Sequence, residues 1–494
     1  MTAQVSIGYV YDSSYMESGF MQMAFGQFGT SVSEVPTRNE MVNWRRSEVV
    51  INPAEKGHGL AQGWSMSAHH RLSPTDPTTL HKGDGSAIRN NTAFIATIAG
   101  TGEDGWAVDG GIAKETPLSS PVSTVLDAEG NIYVANQVYA AILKIDKSGR
   151  VEIVAGGPYG TRDEDNIDAK EARIHTPNDL AVDSRGNLYI ADAGSNKIRK
   201  IDTNGIITTI AGNGNQESSG DDGPALLAGI MPSSIAVDDA GNVYFAEASS
   251  CVGGEVDPVT GQCTGGTIVE SSYRVRKIST DGLIRTIVGT GEKSDGLANG
   301  DGGPASEALL QNPSSVSVDH DGNLYIADGS RIRKVNASGT ITTVAGNGFS
   351  GYTGDGGLAT MAKITHAQGI TFDGRGNFYF SQFYGNGDVI RKVSADGLIS
   401  TVAGKGAPGM AGENGAATKA QLMQPHRLSI DAQGFVIIPD RGNKLVRKVS
   451  VKSYDQKEIH FTENNGLGYL IAADGKHSLT YVLLAKIQSY FVPN

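Results

Sequence analysis

The 494-residue sequence predicts an all-β fold, a six-bladed β-propeller, and three observations predict it. A six-residue segment recurs six times: IATIAG at 95, VEIVAG at 151, ITTIAG at 207, IRTIVG at 284, ITTVAG at 341 and ISTVAG at 399. Between copies stands a second pattern, PNDLAVDSRGNLYIAD in its second occurrence, and then a third, KIRKID. The apolar run inside the second pattern (Leu188, Tyr189, Ile190; Leu324, Tyr325, Ile326) is continuous instead of alternating, so both faces of that strand must be covered. Sheets stacked radially as blades cover them.

Each unit then holds four short strands: LAVD-like, NLYIAD-like, IRKID-like and ITTIAG-like. D-x-x-G-N turns join the first two strands, and TNG, TDG, ASG or ADG turns join the last two, so every blade is an antiparallel meander. The second pattern begins at 121, 177, 232, 313, 367 and 425, with Ala367 where the other copies have Pro. Spacings of the recurring segment are 56, 56, 77, 57 and 58 residues; the long one contains CVGGEVDPVTGQC and reads as an insertion. The sixth unit has no fourth strand after it, whereas Ile95–Gly100 precedes the first unit. Pairing Ile95–Gly100 with Leu445–Ser450 closes the ring and leaves no open seam.

Composition narrows the function. Hydrophobic residues make up 39% and charged residues 19%, as in a globular chain, and 65 glycines without a G-x-y period indicate many tight turns. A net charge of -12 disfavours nucleic acid or an anionic membrane surface as partner. No apolar run is long enough to span a bilayer, and the start MTAQVSIGYVYDSS shows no cleavable signal, although the chain can be an internal piece of an exported protein. Cys251 and Cys263 bracket the insertion; a disulfide between them would close its loop and imply an oxidising compartment.

The repeats resemble NHL repeats over about 94–450, and the linkers GDDGPALLAGIMP, GDGGPASEALLQNP and GDGGLATMAKI resemble interblade loops of bacterial NHL propellers. Upstream, VSIGYVYDSSY, AFGQFG and GLAQGWSMSAHHRLSP resemble the region before the propeller in Rhs/YD-repeat proteins and the teneurins; FTENNGLGYLIAADGKHSLTY resembles the passage into their YD-repeat shell. The resemblance implies three parts: a β-rich, plug-like lead-in over 1–93, the propeller over 94–450, and a tail over 451–494 opening a YD region that stops at Asn494. It also implies a secreted or cell-surface location.

Propellers usually bind where the first strands enter the central channel. The residues just inside each entrance are Val122, Asn178, Ser233, Ser314, Gln368 and His426, then Ser123, Asp179, Ser234, Ser315, Gly369 and Arg427. This polar ring suits a hydrogen-bonding partner, a protein or a glycan; the plainer reading is that it solvates a water-filled channel. His175, His366 and His426 invite a catalytic zinc, but they are out of register with one another, and His175 and His366 lie three blades apart. Calcium on Asp222, Asp301, Asp355 and Glu413 would be short of ligands, and their recurrence points to turns that accept backbone N–H groups. The Arg-Lys pairs of the third strands (Arg199–Lys200, Arg276–Lys277, Arg333–Lys334, Arg391–Lys392, Arg447–Lys448) read either as a basic stripe for RNA or as in-blade pairs with the acids ending strand two, Asp192, Glu247, Asp328 and Asp440.

No G-x-S-x-G, H-E-x-x-H or P-loop occurs. The sequence therefore favours a non-catalytic interaction or scaffold module without a cofactor. The alternative is a metal-dependent propeller lyase or hydrolase with a channel site.

Overall fold

The structure, a computed structural model, describes residues 93–247, 272–294, 300–383 and 387–450 in full, and beyond them only backbone strands. It divides into two compact units, Ala93–Ser450 and Met1–Thr92 together with Val451–Asn494. The second unit contains a three-stranded sheet of Ala3–Asp12, Met21–Phe25 and Met41–Ile51, and a four-stranded sheet of Ser65–Met66, Ile459–Asn464, Leu467–Ala473 and Ser478–Lys486.

Ala93–Ser450 is the six-bladed propeller. The first strands of its blades are Pro121–Leu126, Pro177–Val182, Pro232–Val237, Pro313–Val318, Ala367–Phe372 and, much shorter, Ser429–Ile430. Every sheet runs in sequence order, first strand to fourth, except that blade six ends on Ala93–Ala99, which lies beside Leu445–Val451. The latch is held from its outer side too: Ile95 N–H donates to the Gly415 carbonyl (3.1 Å) and Asn414 N–H to that of Ile95 (2.9 Å). The sheet of blade two has five strands where the repeat predicts four. The addition, Ile167–Asp168, is the preceding interblade segment pairing with Ile206–Ile207. The other blades make the same contact through one bridge each, such as Pro224 with Leu283 and Leu358 with Leu398.

The burial pattern bears out the two-sided strand. Leu188–Asp192, Leu324–Asp328, Phe378–Gln382 and Val436–Asp440 are buried at every position. Six hydrophobic clusters result, each spanning one junction between neighbouring blades; Ala191, Ile198 and Tyr189 of blade two, for example, share a cluster with Ile235, Phe245 and Ile284 of blade three. Stability is therefore distributed round the ring, junction by junction.

The D-x-x-G-N turn has a chemical reason for its residues. Asp183 Oδ1 accepts the N–H groups of Arg185 (3.0 Å) and Asn187 (2.8 Å), while Oδ2 accepts from Asn187 Nδ2 (2.7 Å) and the Tyr189 hydroxyl (3.1 Å). Gly186, at φ +87°, takes the left-handed conformation that the turn requires. In blade six Phe435 replaces the Asn, and the freed Asp431 Oδ2 receives Lys448 Nζ at 2.7 Å.

Candidate functional site: the channel entrance

The first strands of blades one to four carry a bulge just past the leading Pro, as between Pro177 and Asp179, between Pro232 and Ser234 and between Pro313 and Ser315, and that of blade five carries one between Gln368 and Ile370. The bulge aims one residue per blade at the channel. Asp179 stands at that position in blade two, and both neighbours serve it. Ser123 Oγ donates to Oδ1 at 2.7 Å and Ser234 Oγ to Oδ2 at 2.6 Å, while the N–H groups of Leu180 (2.9 Å) and Ile235 (3.0 Å) complete the shell.

Arg427 of blade six crosses the channel to meet it. Its Nε lies 3.4 Å from Asp179 Oδ2; Nη1 donates to the Asn178 carbonyl (3.0 Å), and Nη2 to those of Ser233 (2.9 Å) and Ser314 (2.8 Å). One side chain thus ties blades two, three and four to blade six. Gly369 makes room: a Cβ there would stand 2.4 Å from Arg427 Cα. Beyond this plug the lumen is a cavity of about 260 Å³ whose lining includes Val125, Ala181, Ala236, Ser317, Thr371 and Ser429.

The structure therefore brings the sequence-predicted ring together. Asp179, Ser234, Ser314, Ser315, Gln368, His426 and Arg427 are buried, and Asn178 and Ser233 are half-buried. Most of their hydrogen bonds go to groups of the chain itself, such as Ser233 Oγ to the Ala246 carbonyl and Ser314 Oγ to that of Ala367. Ser381 and Gln137 belong to the same network. Ser381 Oγ is 2.8 Å from the carbonyls of both Gln368 and His426, and Gln137 Nε2 donates to Asn178 Oδ1 at 2.6 Å. Ser381 had a sequence signal: the matching residue is Ala in blades one to four (Ala135, Ala191, Ala246, Ala327).

The third-strand arginines do not form a surface stripe. Arg276, Arg333, Arg391 and Arg447 are among the largest fully buried side chains, and Arg199 is buried as well. Each meets an acid of the loop entering its own blade: Arg199 Asp165 (3.1 Å), Arg276 Asp221, Arg333 Asp301 and Arg391 Asp355 (2.7 Å each), and Arg447 Glu413 (3.2 Å). Glu247, Asp328 and Asp440 stand behind at 3.5, 3.6 and 3.7 Å. The adjoining lysines lie over aromatic rings, Lys200 over Tyr189 and Lys334 over Tyr325 among them. The loop acids also accept fourth-strand N–H groups, Asp355 from Thr401 (3.1 Å) and Glu413 from Thr97 (2.7 Å). In blade three this residue is Asp221, not the Asp222 singled out from sequence; Asp222 pairs with exposed Arg285. Two adjacent acids in GDDG hid the register.

A family model of the teneurin NHL domain matches residues 158–219 and 284–350. Over these residues the chain is similar to the teneurin NHL domain, and its repeats are of the NHL type. Chicken (Gallus gallus) teneurin-1 is 23% identical over 476 residues, covering 87% of this chain and 16% of its own, and mouse (Mus musculus) teneurin-4 is 24% identical, covering 94% and 17%. The chain thus spans about a sixth of the length of these relatives. A crystal structure of a structural genomics protein of unknown function from Bacteroides thetaiotaomicron VPI-5482 superposes with a TM-score of 0.50 at 17% identity over 90% of both chains, a likeness of fold.

In this NHL-type propeller the three histidines do not converge. His366 and His426 flank Phe383, with ring centroids 5.0 and 5.8 Å from it. His426 has its Nδ1 3.0 Å from the Val122 carbonyl; burial, then the charges of Arg427 and Arg441, hold the ring well below the usual histidine range and neutral. His175 is half-exposed, on blade two, with Nδ1 3.6 Å from Asp192, whose hydrogen bond raises its pKa. Among the described residues no three His, Cys, Asp or Glu side chains are grouped to hold a metal ion. The pair Cys251 and Cys263 lies outside the described residues. No helix among the described residues is long and apolar enough to cross a membrane.

Proposed function

We propose that the chain is a non-catalytic interaction module of a teneurin-like cell-surface or secreted protein, and that a protein or glycan partner sits over the channel-entrance face. The observation that carries this reading is the Arg427 plug. A guanidinium engaged by three carbonyls and a carboxylate stands where a channel site would open, and its ligands are the chain's own groups. Several residues at or next to the entrance positions keep some exposure. There half-buried Gln137 donates to Asn178, and the residues that follow it are exposed Val138 and then Tyr139, which stacks on Trp106 with centroids 4.4 Å apart. Aromatic faces beside amide and hydroxyl groups suit a partner that brings both apolar surface and hydrogen bonds.

The test is binding by the full chain to a glycan array and to candidate surface proteins, with Trp106→Ala and Asn178→Ala as variants. A partner whose affinity falls at least tenfold in both variants supports the reading. Binding indifferent to both moves the site off this face, and turnover of a bound glycan overturns the non-catalytic assignment.

A further inference from the structure

We propose that the corner Met423–Arg427, which carries the plug, is a proton-operated hinge: Asp388 of blade five and Asp440 of blade six grip it while the pair retains a proton and release it when both are ionised. The geometry is particular to this junction. At the corresponding corner of blade two a single acid takes two consecutive N–H groups, Asp192 Oδ1 accepting from His175 (3.0 Å) and Thr176 (2.8 Å). Blade four does the same, Asp328 accepting from Gln311 (2.6 Å) and Asn312 (2.8 Å). At blade six the task is divided between blades. Asp440 accepts the Met423 N–H at 2.7 Å, and Asp388, reaching from the neighbouring sheet, accepts that of Gln424 at 3.0 Å.

The corner is also irregular. Gln424 is held at φ +50°, Pro425 follows it, and the first strand of this blade is regular only over Ser429–Ile430. Two buried carboxylates on adjacent N–H groups repel each other when both are charged, and here the corner itself is what they share. Burial pushes Asp388 up to about 6 and Asp440 up to about 7; at Asp440 the hydrogen bonds from Asn443 and Met423 and the Arg447 charge oppose the rise, and the Asp388 charge adds to it. The Arg447 charge offsets part of the rise at Asp440, and the remaining nearby charges are engaged elsewhere. Arg447 stands 3.7 Å from Asp440 but is bound by Glu413; Arg391 turns to Asp355; Arg441 donates to Ser120 Oγ; Lys444 pairs with Asp104; and the His426 ring is neutral.

The sign follows. An acid whose folded pKa is raised favours the fold while protonated and withdraws that support as pH climbs through its folded value. The corner is therefore tight near pH 5.5 and loosened near pH 8, and with it the backbone that positions Arg427. Above the corner, His426 N–H donates to the Pro439 carbonyl and Arg427 N–H to that of Val122, so loosening should reach both amides.

Hydrogen exchange of the full chain, corrected for the intrinsic pH dependence of exchange, reads this directly. Peptides covering 420–428 should lose about tenfold in protection between pH 5.5 and 8.0, as expected of a group shifted by a unit or more. Peptides covering 229–236, the corner of blade three, where Glu247 accepts the Met231 N–H at 3.2 Å, should not. Asp440→Asn keeps an acceptor for Met423 and should remove most of the drop, and the double variant Asp388→Asn/Asp440→Asn should abolish it; if the double variant fails to fold, Asp440→Asn alone is the test. Unchanged protection of 420–428 across this range in the wild type overturns the proposal, as does a folded Asn variant that keeps the drop.

Discussion

The Arg427 guanidinium and the Asp179 carboxylate meet 3.4 Å apart inside the channel, although they come from blades two positions apart round the ring. Both are buried, and almost every remaining lone pair and proton on them is matched by a serine or a backbone group of the inner strands. A charge pair of this kind is costly to break from one side, because the survivor is left buried without its counter-charge.

Arg427→Ala should therefore lower stability by about 3 kcal/mol in urea unfolding. Arg285→Ala, which removes the exposed pair with Asp222, should cost less than about 1 kcal/mol. Equal losses in the two variants would mean that Arg427 is not an internal brace.

Blade one offers a natural control for the buried arginines. It has Leu143 at the arginine position and Asn136 at that of the second-strand acid, with Asn136 Oδ1 accepting from Ser119 N–H at 2.7 Å. Arg333→Leu alone, which strands buried Asp328, should cost about 3 kcal/mol; adding Asp328→Asn should recover most of it. Additive losses in the double variant would contradict this coupling.

Glu413 does more than its counterparts because it also holds the latch strand. It accepts from Thr97 N–H (2.7 Å) and Oγ1 (2.9 Å) and pairs with Arg447 (3.2 Å). Glu413→Ala should cost about 2 kcal/mol. Asp109→Ala should cost nearer 1 kcal/mol, since Asp109 accepts Ile153 N–H at 2.8 Å in a blade without the arginine. Thermal or urea unfolding of the two variants side by side checks the order.

His175 supplies a pH-dependent contribution. Its pKa is raised by Asp192, so the protonated ring stabilises the fold below its unfolded value, and the effect disappears as pH rises through the folded one. His175→Ala should be destabilised by about 0.5 kcal/mol at pH 5.5, a figure reduced for its exposure, and by less at pH 8.5. A larger loss at the higher pH would reverse the assignment.

The ring was legible in the sequence because blade geometry repeats, and repetition exposes both register and closure. Ile95–Gly100 announced itself as the missing fourth strand by matching ITTIAG, and the entrance residues could be placed by counting from each leading Pro. The plug was not legible. Counting puts Arg427 among serines, a glycine and Asp179 at one level of the channel, but nothing local says that its side chain crosses to three other blades. The coincidence of Gly369 and Arg427 at neighbouring ring positions was the available hint, a void beside a large side chain. Burial of the third-strand arginines was hidden for a related reason: their acids sit in loops some 30 to 60 residues away, and the adjacent Lys makes the pair look like a solvated face.

The central claim is closure of the ring by a strand from before the first blade, and amide exchange tests it most directly. Thr97 and Ile95 N–H groups should exchange as slowly as Thr209, Thr286 and Thr401, the fourth-strand amides of blades two, three and five that loop acids hold in the same way. Exchange of Thr97 and Ile95 at the rate of an unpaired loop, with the other three protected, would show that blade six is completed by something else.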